Sequence, residues 1–289
     1  MLGLFKYADF FSGSVAELSG VTPWPVLDLA LPLGISFYTF QTMSYTIDVY
    51  RGKIKAFKDP FDVALYVAFF PQLVAGPIIR ADVLIPQIHR AHRLDPILLR
   101  MGIALVIWGL CKKVFFADTM GPIVNEAYGA IDVMSGLALL TATYAFAAQI
   151  YFDFSGYTDI AIGSALMLGV KLPKNFDAPY LSCSLREFWR RWHISLSNWL
   201  RDYLYISLGG SRRGMGRTYA NLLITMVLGG LWHGAGLNWV VWGAFHGVVM
   251  SLERAFGVSE QAPAPMPARL LRWFITFHLV CFSWILFRA

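Results

Sequence analysis

The chain has 289 residues, of which 57% are hydrophobic, 16% aromatic and only 15% charged, with a formal net charge of +6 and a mean hydropathy of +0.54. Soluble domains carry about 25% charged residues, so there is too little polar surface here to cover a water-soluble globule, and lipid is the simplest solvent for the remainder. The basic residues cluster briefly between apolar runs, as at membrane-helix ends rather than on a nucleic-acid-binding face, and Cys111, Cys183 and Cys281 lack the paired spacing of a disulfide framework or zinc site.

Met1 to Tyr7 has neither the basic start nor the long apolar run of a signal peptide. The chain stops at Ala289 directly after an apolar run, and both ends read as cut, which suggests a fragment. A membrane-spanning helix needs about 20 mostly apolar residues. Residues 26–47 predict the first span, kinked near Pro32 and Gly34. Residues 62–79 are apolar but interrupted by Pro71, Gly76 and Pro77. They predict a broken or re-entrant segment, tolerated only within protein or beside a water-filled cavity. Residues 97–117 predict a clean span ending at Lys112-Lys113, 133–152 another, and 154–170 a shorter one carrying Asp159. Residues 218–233, 236–252 and 269–287 predict three more, with 261–267 as a Pro-rich loop. The basic connectors at 51–58, 89–93 and 212–217 cannot all face the cytoplasm if every span crosses fully, so short re-entrant segments are expected. No internal repeat is present. The expected fold is all-α and polytopic, a single membrane domain over residues 1–289.

Three stretches carry chemistry. Residues 185–208 predict one amphipathic helix, with Phe188, Trp192, Leu196 and Trp199 on one face and Arg186, Arg190, His193, Ser197 and Arg201 on the other. Such a helix fits an interfacial position, aromatic rings at headgroup depth and arginines towards phosphates. It equally fits the wall of a cavity in which His193 and the arginines handle a polar substrate. In Gly229 to Gly236, His233 ends an apolar run and is placed at membrane depth, where an ionisable group is costly and marks function. A buried histidine satisfied by a carbonyl is the bland alternative. His246 repeats the small-residue context and fits helix packing as well as chemistry. In Tyr151 to Asp159, the carboxylates Asp153 and Asp159 need partners: a histidine to orient, or the arginines of 186–191. A buried ion pair fixing helix register reads at least as well. Asp118 reads as a solvated helix end beside Lys112 and Lys113, and His89, His92 and His278 as loop or interface residues without an evident partner. No P-loop, GxGxxG, GxSxG or HExxH pattern occurs, which weighs against a nucleotide-driven transporter, a serine hydrolase and a zinc protease.

At these residues the sequence resembles a family. The strings EFWRRWHISLSNWLRDYLYISLGG (187–210) and NLLITMVLGGLWHGAGLNWVVWGAFHG (221–247) are similar to motifs of the membrane-bound O-acyltransferase superfamily. So are PLGISFYTFQTMSYTIDVYRG (32–52), FFPQLVAGPIIR (69–80) and YFDFSGYTDIAIG (151–163). The five motifs fall in the family's order across essentially the whole chain. The resemblance is greatest to the bacterial branch that O-acetylates exported polysaccharides such as alginate. It implies a ring of tilted, partly re-entrant helices around a thin central region where a funnel from each side meets. Family members extend further at both ends. The signature histidine falls on His233 and a second histidine on His193.

The implied activity is transfer of an acetyl or other acyl group from a thioester, acetyl-CoA or a relative, to a hydroxyl. Neutral imidazole serves as the base near neutral pH. His233 is the expected base, and His193 positions the acceptor or polarises the carbonyl. Arg190 and Arg191 are expected to attract an anionic donor or polymer, or to meet lipid phosphates. Trp192, Trp232, Asn198, Asp153 and Asp159 complete the candidate substrate-binding set. No metal or bound cofactor is required, and a covalent acyl-histidine route stays open. The expected setting is the bacterial inner membrane, multi-pass, with membrane lipid, the thioester donor and periplasmic acetyltransferase proteins as partners and no nucleic acid. D-alanyl transfer to teichoic acid, acetylation of another wall polymer, a polar-substrate transporter or flippase, and a non-catalytic scaffold are the rival readings.

Overall fold

The computed structural model describes residues 3–22, 24, 27, 29, 32, 34–73, 76–90, 95–258 and 265–288, and every regular element among them is helical. A π-helical turn, Gly3–Tyr7, leads into α1 (Ala8–Ser19), an element too short for the apolar-run pattern to predict. The helix α2 (Ile35–Tyr50) begins directly after Gly34, at φ 76°. Gly34 therefore starts a helix instead of kinking a longer one, and much of 26–33 lies outside the described residues.

The predicted broken segment is broken. The helix α3 (Pro60–Ala68) starts where Asp59 accepts the Phe61 N–H at 2.9 Å. A 3-10 turn (Phe70–Gln72) follows, residues 76–80 belong to no regular element, and α4 (Ala81–Ile88) comes next. Gln72 Nε2 donates to the Tyr66 carbonyl at 2.6 Å and Tyr66 Oη to that of Ile79 at 2.9 Å. Irregular backbone is thus satisfied by buried side chains, as a low-dielectric setting demands.

The helix α5 (Pro96–Cys111) does not stop at its lysines. It continues through a π-helical stretch (Lys112–Ala117) into α6 (Asp118–Gly129), because lysine breaks no helix. The predicted spans 133–152 and 154–170 are one helix, α7 (Gly136–Met167), since Asp153 finds a partner and no Gly-Pro breaker separates them. Its 32 residues reach roughly 48 Å at 1.5 Å each, well beyond the ~30 Å hydrocarbon layer. The predicted amphipathic helix 185–208 is instead three pieces: α8 (Leu185–Arg191), α9 (Ile194–Trp199) and a π-helical run (Leu200–Tyr205). The break falls at His193, whose φ is 44°. The chain closes with α10 (Met215–His233), α11 (Leu237–Ala255) and α12 (Met266–Arg288). The last begins inside the predicted Pro-rich loop, since Pro267 suits a first helical turn, while residues 259–264 lie outside the described set. Among the described helices, α7 and α12 are long and apolar enough to cross a membrane.

Two close helix pairs position the site. In α5 and α7, Gly102 faces Gly163 and Gly109 faces Gly156, so that a Cβ on Gly102 or Gly109 would stand 2.6 Å from the opposing glycine carbonyl oxygen. Glycines seven apart on both helices allow this approach. It is locked by Lys112–Asp159 and Lys113–Asp153 ion pairs, each 2.6 Å. In α10 and α11, Gly230 and Gly243 meet the opposing backbone, and a Cβ on Gly247 would lie 2.9 Å from Leu223 Cα.

Candidate active site

Six segments converge on one aromatic cavity of about 250 Å³. The helix α2 gives Phe37, α7 gives Ile150, Asp153 and Phe154, and the α8–α9 break gives Trp192 and His193. Trp232 and His233 come from the end of α10, Trp242 from α11, and Trp284 and Phe287 from α12. His193 is buried with its ring edge-on to Phe154 at 4.6 Å and 6.0 Å from the Trp232 ring, and neither ring nitrogen has a protein partner. His233 stands between Trp232, Trp242 and Phe287, with ring centroids 4.9, 5.3 and 5.2 Å away. The indole N–H groups of Trp232 and Trp242 are buried without a protein acceptor. The cavity therefore combines two imidazoles, unsatisfied donors and apolar walls. Buried polar groups are normally paired, and unpaired ones around a cavity suit a ligand carbonyl and hydroxyl.

The end of α10 is held from far away in sequence. Tyr7 Oη donates to the Leu231 carbonyl at 2.7 Å, and Lys6 Nζ donates to the Trp232 carbonyl. The last four carbonyls of a helix have no partner within it, and a cation is favoured at that end. Neither Lys6 nor Tyr7 carries a motif, so only their position reveals them.

A family model described as the membrane-bound O-acyltransferase family matches residues 39–288. The chain belongs to that family. Over its whole length it is 49% identical to the probable alginate O-acetylase AlgI of Pseudomonas aeruginosa, of which it covers 55%. It is likewise 49% identical to the probable alginate O-acetylase AlgI of Azotobacter vinelandii, covering 58% of that protein. It is 36% identical to the peptidoglycan O-acetyltransferase of Helicobacter pylori, covering 60% of it. The chain thus spans somewhat more than half the length of these relatives, and family membership makes it a membrane protein.

Of the residues expected to form this acyltransferase-family site, the cavity brings together His233, His193, Trp192, Trp232 and Asp153. The others lie elsewhere. Asp159 is paired with Lys112, so neither it nor Asp153, held by Lys113, uses a histidine or an arginine as partner. Arg191 pairs with Glu187 at 2.6 Å, one helical turn away, and does not line the cavity. Arg190 is on the exposed side of α8, and Asn198 lies on α9 outside the cavity wall. The physical reason is the break at His193: it turns the imidazole inward, away from the arginines with which a continuous helix would have aligned it. Next to Arg191, the exposed Asp177 accepts from Lys174 at 2.6 Å, which holds its carboxyl below the usual carboxylate range.

Other histidines acquire partners that the sequence did not suggest. His89 meets Asp62 at 2.6 Å, and His278 lies 2.9 Å from Tyr144 Oη and 2.8 Å from the Phe274 carbonyl. His92 is outside the described residues. His246 is fully buried, accepts from Trp189 Nε1 at 3.3 Å and packs on Trp242, outside the cavity lining. Trp242 lines this cavity, and Trp189, whose ring is 5.7 Å from that of Trp242, lines a second of about 240 Å³ with Ser197, Arg201, Tyr205 and Arg254. Among the described residues, no group of three His, Cys, Asp or Glu side chains is placed to hold a metal. Phe37, Phe154, Trp242, Trp284 and Phe287 were not predicted as site residues, because an aromatic in an apolar run looks like any core residue.

Proposed function

We propose that this chain forms the core of an O-acyltransferase that moves an acetyl group from a thioester to a hydroxyl, for O-acetylation of an exported polysaccharide such as alginate. The observation that carries the reading is the shared cavity of His233 and His193, within a chain 49% identical to proteins named alginate O-acetylase. His233 takes the acceptor hydroxyl proton as the oxygen attacks the thioester carbonyl. The tetrahedral oxyanion is met by the indole N–H groups beside His233, a role that unpaired donors fill at low cost. Collapse breaks the C–S bond, and the imidazolium returns its proton to the departing thiolate. His193 orients the acceptor. The donor is acetyl-CoA or a related thioester, and Arg201 and Arg254 at the second cavity meet its phosphates.

The protein crosses the bacterial inner membrane several times and works within a polysaccharide-modification complex that includes periplasmic acetyltransferase partners. Membrane lipid is its solvent, and its short broken segments are re-entrant around the central cavity.

The test is polymer O-acetylation in a strain lacking the native gene, complemented with the full-length protein or its His233→Ala variant at matched membrane levels. Loss of acetylation only in the variant is expected. Unchanged acetylation would make His233 structural and favour a transporter or scaffold.

A further inference from the structure

His193 occupies the N-cap of α9 with φ 44° and ψ 55°, and its own side chain makes no capping bond. A residue with a Cβ is disfavoured in the left-handed region, and an N-cap is usually a short polar side chain that satisfies the first free N–H groups. Histidine thus meets neither local preference here. Such an outlier persists only when its surroundings over-determine it, and those surroundings can be named.

The segment before α8 supplies them. The Asp177 N–H donates to the Arg191 carbonyl at 2.9 Å, and the Ile194 N–H donates to the Asn175 carbonyl at 2.9 Å, so that the chain is pinned on both sides of Trp192 and His193. The Asn175 side chain then does what the N-cap side chain would do. Its Oδ1 accepts from the Ser195 N–H at 3.1 Å and from Ser195 Oγ at 3.0 Å. Ser195 Oγ in turn accepts the Ile78 N–H at 3.0 Å, which ties in the irregular chain after Pro77. Asn175 is wholly buried, so no water competes for this oxygen.

We infer that Asn175, with Ser195, is a positioning residue for His193: it caps α9 from outside and holds the left-handed turn that aims the imidazole into the cavity. Capping by a distant asparagine leaves both ring nitrogens of His193 free of protein partners. Had His193 been Ser or Asp, the cap would be local and the cavity would lose its second imidazole. The inference rests on the reading of His193 as a group that orients the acceptor.

The test is a double-mutant cycle on the full-length protein in lipid nanodiscs, with acetyl-CoA as donor and an alginate oligosaccharide as acceptor. Asn175→Ala is expected to lower kcat roughly ten- to a hundredfold, as misplacement of a reacting group by about an ångström does, with donor KM unchanged. In a His193→Ala background the same change is expected to cost nothing further, because a residue acting through His193 has nothing left to position. Asn175→Asp, which keeps the accepting oxygen, is expected to restore most of the rate. Parental kcat in Asn175→Ala, or an equal loss in both backgrounds, would overturn the inference while leaving the acyltransferase reading intact. Parental kcat in His193→Ala alone would instead remove His193 from the site, and this inference with it. If Asn175→Ala does not accumulate, Ser195→Ala is read in the same cycle with the same two outcomes.

Discussion

The hydroxyl of Tyr7 donates to the carbonyl of Leu231 across 224 positions of sequence, two residues before His233. With the Lys6 ammonium on the next carbonyl, it closes the open end of the helix that presents the expected base. A bond of this kind contributes about 1 kcal/mol, and more when the donor is charged. Tyr7→Phe is therefore expected to destabilise the end of α10 by about 1 kcal/mol and to lower kcat with little change in donor KM. Lys6→Met is expected to do more, and Lys6→Arg to restore part of the loss. Turnover and thermal unfolding measured side by side in nanodiscs check this; a kcat that stays at the parental value in Lys6→Met would remove the cap from the mechanism.

Trp242 packs on His233 and carries a buried indole N–H without an acceptor. Trp242→Phe keeps a ring and deletes the donor. If that N–H meets the developing oxyanion, kcat should fall roughly a hundredfold or more with KM held. A proportional loss of folded protein and activity would assign Trp242 to packing alone.

The ion pair Lys112–Asp159 is largely enclosed, with side chains 12% and 19% exposed. Removing one partner strands the other charge, and Lys112→Met is expected to cost about 3–5 kcal/mol. Replacing both, as Lys112→Met with Asp159→Leu, is expected to recover most of it. Unfolding temperatures of the two variants decide the matter: equal losses would mean that the pair contributes more than register.

Gly109 and Gly156 bring α5 and α7 into backbone contact, with no room for a methyl group. Gly109→Ala forces the helices apart, an overpacking cost of about 1–3 kcal/mol, and shifts the middle of α7, where Asp153 and Phe154 line the cavity. A lowered unfolding temperature and a reduced rate are expected together. Full stability in Gly109→Ala would show that the helices tolerate a wider separation.

The two histidines show where sequence was sufficient. His233 follows an apolar run and precedes Gly234, so it is legible as a candidate from composition, the family motifs point to the same residue, and in the fold it lines the cavity. His193 was legible as a candidate, but its surroundings were not. A helical period assigns it to a cationic face with Arg190 and Arg201, whereas the chain breaks at that residue and turns it inward. The signal for the break is Asn175 and Ser195, and their pairing is invisible without the fold.

The carboxylates divide in the same way. That Asp153 and Asp159 required partners followed from their apolar neighbours. Which partners they took depended on the glycine-lined approach of α5 to α7, which brings Lys112 and Lys113 alongside. The sequence by itself determined the lipid setting, the helical class, the broken segment after α3 and the family, because apolar content, proline position and motif order are local properties. Only the tertiary structure decided which aromatics enclose the histidines, which side chains cap α9 and α10, and which charges pair. Most of these join residues tens to hundreds of positions apart, and their separation is set by how closely the helices pack.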